Sequence, residues 1–179
     1  MNRISVPSTE QTPAASLPFL AAVQKQLGVT PNLMKLLGHS PSALEAYLSL
    51  SGTLGKGSID ARTGERIALA IAQFNSCDYC LAAHSYLAAN LAKLDSEEIL
   101  ANRRGHSTDV KADAAVRFAI TVAQERGHAS DTAVQAVKDA GYTEAQILEI
   151  VLHVALNTLT NYVNSVARTP VDFPAAAAL

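Results

Sequence analysis

The sequence predicts an all-α protein, and three observations carry that expectation. No segment shows sustained period-two alternation of apolar and polar residues, the mark of a half-buried strand. The β-branched residues sit inside helical spacing instead, as in Ile147-Leu-Glu-Ile-Val-Leu-His-Val154. Helix-start residues recur along the chain (Thr30-Pro31, Ser40-Pro41, Asp60, Asp95, Ser130, Thr143), and glycines follow several of the apolar runs they open (Gly28, Gly38, Gly127, Gly141).

Residues 1–16 are rich in Ser, Thr, Pro and Gln and are expected to form an extended arm, ordered only where a neighbour holds it. Pro18 starts a helix over 19–27, ended by Gly28. Pro31, at the first helical position, opens a short helix through Leu37 that Gly38 closes. After Ser40-Pro41, residues 43–50 are apolar at helical spacing, and Gly52, Gly55 and Gly57 make 51–58 a turn or a fraying end. Asp60 caps a helix to about Phe74, and Asn75-Ser76 is a break with a new N-cap. A helix over 77–92 follows, its propensity raised by Ala82, Ala83, Ala88 and Ala89. Asp95 begins a short helix to Ala101, and 102–108 is a polar loop. The segment 110–126 is amphipathic, with Ala112, Ala115, Val116, Ala119, Ile120 and Ala123 as its buried stripe. Ser130 caps 132–140, and Thr143 with Gln146 forms a capping box that opens the longest helix, to about Ala167. Thr169-Pro170 stops it, and the following tail, with Pro174 and an alanine run, wraps or frays. The organisation is thus one all-α domain over 17–174, the arm 1–16 before it and a tail 175–179 after it.

A formal net charge of -2, no basic run and almost no aromatic–basic interleaving argue against nucleic acid. No stretch of about twenty apolar residues predicts a membrane span. The first ten residues lack the apolar core of a secretion signal, so the expected compartment is cytoplasmic. Two cysteines cannot be the disulfide framework of a 179-residue chain; in a reducing compartment a close pair is catalytic or metal-binding more often than structural.

Those cysteines, Cys77 and Cys80, form a C-x-x-C pair with His84 four residues further on. On a helix, residues three or four apart are neighbours, so both thiols and the imidazole share a face. A thiolate is the nucleophile; a helix N-terminus favours it, Asp78 opposes it, and His84 can take the proton of Cys80. Neighbouring cysteines at this spacing close a disulfide after a modest local shift. Glu65 lies on the preceding helix, twelve residues before Cys77, which on a continuous helix turns it some 120° away. A bend at Asn75-Ser76 would return it over His84, where a carboxylate orients an imidazole as the third member of a triad does.

The spacing Glu65-x11-Cys77-x-x-Cys80-x3-His84 resembles that of the carboxymuconolactone decarboxylase and alkylhydroperoxidase D-like superfamily. The flanking stretches Gly28-Val-Thr-Pro-Asn32, Ser40-Pro41, Asn161-Tyr-Val-Asn164 and Ala167-Arg-Thr-Pro-Val-Asp-Phe-Pro174 are similar to its peroxidase-related branch. The resemblance spans roughly residues 28–174. It implies an alkylhydroperoxidase D-like helical bundle assembled as dimers, trimers or hexamers, and thiol-dependent reduction of a hydroperoxide in antioxidant defence. In that scheme Cys80 attacks the peroxide, Cys77 resolves it as a disulfide, and Glu65 and His84 shuttle protons. A dithiol or protein electron donor, unidentified, would regenerate the thiols; no cofactor and no metal are implied. The well-studied alkylhydroperoxidase has a histidine between its cysteines where this chain has Tyr79, so the relay is either shorter or uses the Tyr79 hydroxyl. The lactone decarboxylases do not depend on such a cysteine pair, which disfavours lactone or keto-acid chemistry.

Blander readings compete. The cysteines can be two small buried hydrophobes of a non-catalytic helical oligomer that merely responds to oxidation. Zinc on two thiolates and an imidazole lacks a second C-x-x-C. Tyr79 can be a packing residue, and Glu65 can pair with Arg62 or Arg66. His153 begins a polar stripe with Asn157, Asn161 and Asn164 at spacings of four, four and three. The stripe either bridges a helix or subunit interface or lines a pocket over the cysteines, with His153 and Asn157 as relay or pocket candidates. His39, His106 and His128 sit beside turns and are expected at the surface. The longest helix is apolar on most of its circumference, which predicts burial in an assembly and hence a homo-oligomer.

Overall fold

The computed structural model describes residues 2–179. Among them the chain runs through nine α-helices and no strand: α1 (Leu17–Leu27), α2 (Asn32–Leu37), α3 (Pro41–Leu54), α4 (Ala61–Phe74), α5 (Asp78–Asn90), α6 (Ser96–Arg103), α7 (Val110–Gln124), α8 (Asp131–Asp139) and α9 (Glu144–Ala167). The helix starts are fixed by local chemistry. The side chains of Asp60, Asp95, Asp109, Ser130 and Thr143 each accept the backbone N–H three residues on. At α9 both halves of the capping box are formed between Thr143 and Gln146. Gly28 ends α1 in the left-handed conformation, φ 75°, which a residue without Cβ adopts at no steric cost.

Several boundaries differ from expectation for reasons of burial. The helix α3 continues through Gly52 to Leu54 because Leu54 is buried, while a Cβ at Gly52 would meet nothing and that position faces solvent. Pro31 is the N-cap of α2 rather than its first helical residue. The helix α6 extends to Arg103, since Asn102 and Arg103 are themselves buried.

Helix α4 is the centre of the bundle and packs against α5, α6, α7 and α9. Its Ile67, Leu69 and Ile71 are fully buried. Ile67 and Ile71 join Phe118, Val137, Ile147, Ile150 and Val154 in one apolar cluster. A second cluster, of Leu33, Leu37, Leu44, Ala72 and Leu81, encloses Cys77, Tyr79 and Cys80. A buried ion pair, Arg66 Nε to Glu98 Oε1 at 2.6 Å, ties α4 to α6.

The arm and the tail are held by the chain itself. Arg3 and Ile4 donate backbone N–H groups to the Ala167 carbonyl, His39 Nε2 lies 2.8 Å from the Ser5 carbonyl, and the buried Ser16 hydroxyl donates to the Gly38 carbonyl. The tail wraps across α2 and α5. Asp172 accepts the Asn32 N–H at 2.7 Å, and Arg103 Nη1 donates to the Ala177 carbonyl. Leu148, Leu152, Leu159, Tyr162 and Val166 of α9 remain exposed. No helix among the described residues is long and apolar enough to cross a membrane.

Candidate active site

The site begins at the break between α4 and α5. Asn75 leaves the helix, Ser76 turns through the left-handed region with φ 53°, and the Cys77 N–H returns to the Ala72 carbonyl. Cys77 is thereby the N-cap of α5 rather than a residue of its first turn, and its sulfur accepts the Cys80 N–H at 3.3 Å. An N-cap sulfur faces the unpaired amides and positive end of the helix, a place that favours a negative charge. Cys77 and Cys80 are joined by a disulfide, with Cα atoms 5.3 Å apart, and are 3% and 2% exposed.

The same break reorients α5 so that Glu65, near the start of α4, meets His84. His84 Nδ1 lies 2.9 Å from Glu65 Oε2, and both side chains are about one-fifth exposed (21% and 23%). When Nδ1–H is donated to the carboxylate, Nε2 is left as the acceptor, the arrangement a general base needs. An exchangeable acid–imidazole pair at the surface is thus one helical turn from a sulfur that solvent barely reaches.

Tyr79, between the cysteines, points its hydroxyl towards α2 and the tail. It accepts the Leu33 N–H at 3.1 Å and faces the Asp172 carboxylate. Its ring is edge-on to Phe173, with centroids 5.9 Å apart. Burial raises the phenol well above its ordinary range, the Leu33 N–H opposes this, and Asp172 adds to the rise, so the hydroxyl stays protonated. Tyr47 of α3, packed against the cysteine cluster, is likewise raised by burial.

The polar stripe of α9 divides its work. His153 packs on the backbone of α4 at Gly64, where a Cβ would stand 3.2 Å from the imidazole Cε1. Burial lowers its pKa, while the Glu149 and Glu65 carboxylates pull the other way, and its Nε2 is buried without a partner. Asn157 donates to the His153 carbonyl of its own helix. Asn161 accepts from Asn75 Nδ2 at 2.9 Å and so pins the α4–α5 break. Asn164, 3% exposed, donates its Nδ2–H to Cys80 Sγ at 3.3 Å. The sequence placed Asn164 in the stripe by spacing; nothing in the spacing singled it out over Asn157 as the residue that reaches sulfur. Asp172 and Phe173 entered the sequence reading only within the stretch 167–174 that resembles the peroxidase-related branch, with no role of their own. Among the described residues, no three His, Cys, Asp or Glu side chains converge as metal ligands.

Residues 41–125, which hold the acid, both cysteines and the imidazole, match the family model described as the carboxymuconolactone decarboxylase family. The likeness to that family is carried by this segment, a little under half of the chain. The match is to the part of the chain that builds the α4–α5 break. No curated protein matches the chain significantly. Among solved structures, an uncharacterized peroxidase-related protein of Ralstonia eutropha JMP134, described as an alkylhydroperoxidase AhpD core, aligns with a TM-score of 0.83. It is 22% identical, over 96% of this chain and 92% of that one. An uncharacterized peroxidase-related protein of Silicibacter sp. TM1040 aligns at 0.81 with 20% identity, covering 94% and 89%. A cysteine-to-alanine variant of the debrominase Bmp8, in complex with 2,3,4-tribromopyrrole, aligns at 0.76 with 18% identity and 94% coverage of each chain. The chain thus has the alkylhydroperoxidase D-like helical fold. At these identities the likeness is one of architecture.

Proposed function

We propose that the protein is a thiol-dependent peroxidase that reduces hydroperoxides by cycling Cys77 and Cys80 between dithiol and disulfide. The observation that carries the reading is the Glu65–His84 pair, at 2.9 Å, one turn from a buried disulfide-bonded cysteine pair. The family-model match over residues 41–125 and the fold support it. In the first step Cys80, as thiolate, attacks the distal peroxide oxygen. The O–O bond breaks, Cys80 becomes a sulfenic acid, and the alkoxide leaves as an alcohol after taking a proton. In the second step Cys77 attacks the Cys80 sulfur, a disulfide forms, and water departs. A dithiol donor then returns two electrons and two protons, becoming a disulfide itself. His84 receives the Cys80 proton and delivers it to the leaving oxygen, and Glu65 holds the imidazole in the required tautomer. Tyr79 anchors the cysteine loop to α2 and the tail. We further infer a homo-oligomer, because α9 leaves Leu148, Leu152, Leu159, Tyr162 and Val166 uncovered.

Steady-state turnover of several organic hydroperoxides with a dithiol donor tests the reading. Cys80→Ser abolishes turnover, Cys77→Ser removes the recyclable disulfide, and Glu65→Gln lowers the rate by about 10²-fold, the low end for lost acid–base assistance. Undiminished peroxidase activity in Cys80→Ser would overturn it.

A further inference from the structure

We propose that Asn164 is a catalytic residue whose side-chain amide holds the Cys80 sulfur in its anionic, nucleophilic form. The inference rests on the peroxidase reading above and adds a residue to it. Asn164 lies on α9, 84 positions from Cys80 in sequence, and meets the sulfur at 3.3 Å inside the bundle. Its Oδ1 is buried with no partner. An asparagine held only to fill space would be a poor choice there, since burying an amide is unfavourable unless its polar atoms are satisfied. The one polar contact the side chain makes is to sulfur. A disulfide sulfur is a weak acceptor; a thiolate is a strong one, and hydrogen bonds to charged groups are the strong class. The interaction therefore strengthens when the disulfide is reduced and Cys80 loses its proton, to His84 or to buffer.

The two sulfurs are thus served by different donors. Cys77 takes the Cys80 backbone N–H at the α5 N-cap, and Cys80 takes Asn164. The titratable groups around Cys80 are Tyr47 of α3, Glu65 of α4, Asp78, Tyr79 and His84 of α5, and Asp172 of the tail behind Tyr79. Helix α2 and the rest of α9 bring apolar side chains, Leu33, Met34, Leu37 and Val163, to this cluster. The three carboxylates have no proton to give a thiolate, the Tyr79 hydroxyl is committed to Leu33 and Asp172, and the Tyr47 hydroxyl is paired with Ser51. Asn164 is the neutral donor whose contact with the Cys80 sulfur is formed.

The test reads the ionisation of Cys80 directly. In Cys77→Ser, where serine keeps an N-cap oxygen and Cys80 is the single thiol, the pH dependence of iodoacetamide alkylation gives the Cys80 pKa. Adding Asn164→Leu should raise it by about one unit, a tenfold loss of thiolate at neutral pH. Asn164→Asp, which places a carboxylate beside the sulfur, should raise it further. Should the leucine variant not fold, the side-chain amide resonances of Asn164 are followed by NMR in the Cys77→Ser protein. They should shift along the Cys80 titration. An unmoved pKa in a folded variant, or an Asn164 amide silent through the titration, overturns the proposal. Peroxide turnover of the parent protein is read alongside. A raised pKa with no turnover upholds the amide's role and overturns the peroxidase reading, whereas turnover with an unmoved pKa does the reverse.

Discussion

Glu98→Gln tests what holds α4, and with it Glu65, in place. Glu98 is 3% exposed and its two oxygens collect five hydrogen bonds. Oε1 accepts from Arg66 Nε, Asn102 Nδ2 and the Ser107 hydroxyl; Oε2 accepts from the Thr108 N–H and hydroxyl. Glutamine keeps one oxygen and turns an NH2 against donors on the other side, and it leaves the buried Arg66 guanidinium without its counter-charge. Removing one member of a buried ion pair costs about 3–5 kcal/mol. For a chain of this size each kcal/mol shifts Tm by about 2–4 °C, so the melting temperature at pH 7 should fall by about 6–20 °C. The pH dependence gives a second handle. Burial would raise the Glu98 pKa, but the bonds from Ser107, Thr108 and Asn102 outweigh it and hold the carboxyl well below its usual range. A folded pKa below the unfolded value of about 4.3 gives stability that is present above that pH and lost as pH falls through the folded value. Melting curves by circular dichroism should therefore show the gap between parent and variant narrowing below about pH 4. A Tm within 2 °C of the parent at neutral pH, or a gap that stays constant on acidification, would refute the account of Glu98 as the clamp between α4, α6 and the 107–108 loop (threshold about the effect of 1 kcal/mol).

Three further outcomes follow from the geometry. His153 is depressed by burial, so its unfolded form binds a proton first as pH falls below about 6.5, and the parent should lose stability across that limb. His153→Leu should remove the loss, seen as a urea midpoint less sensitive to a change from pH 7.5 to 5.5; a steeper dependence in the variant would contradict the assignment. Tyr79→Phe strips the acceptor from the buried Leu33 N–H and should cost about 1–3 kcal/mol in urea unfolding while making the tail more sensitive to carboxypeptidase. Light scattering after size exclusion should give a multiple of 18.8 kDa, and Tyr162→Glu on the exposed face of α9 should shift it towards monomer; a monomeric parent protein would remove the inference of assembly.

The sequence by itself determined the helices and the chemistry of their starts, because those are short-range matters. Asp60 reaches the Thr63 N–H, and Thr143 and Gln146 satisfy one another, within a single turn. It also set Cys80 and His84 one turn apart along α5, with Cys77 at the N-cap just before it, since a spacing of four on a helix fixes neighbours whatever surrounds it. The meeting of Glu65 and His84 needed only the break at Asn75-Ser76 between two adjacent helices. What lay beyond it was decided by packing between distant segments. The burial of Leu54 carries α3 through a glycine that local propensity would use to end it. The arm and the tail are ordered because Ala167, Gly38, Asn32 and Arg103 offer them partners far away in the chain. The stripe of α9 shows the limit most clearly. Its spacing gives four polar residues one side of the helix, yet the crossing of α9 over α4 and α5 sets His153 on Gly64, Asn161 on Asn75 and Asn164 on the Cys80 sulfur. Helix periodicity fixes direction around an axis; which atoms that direction finds is set by how the helices pack.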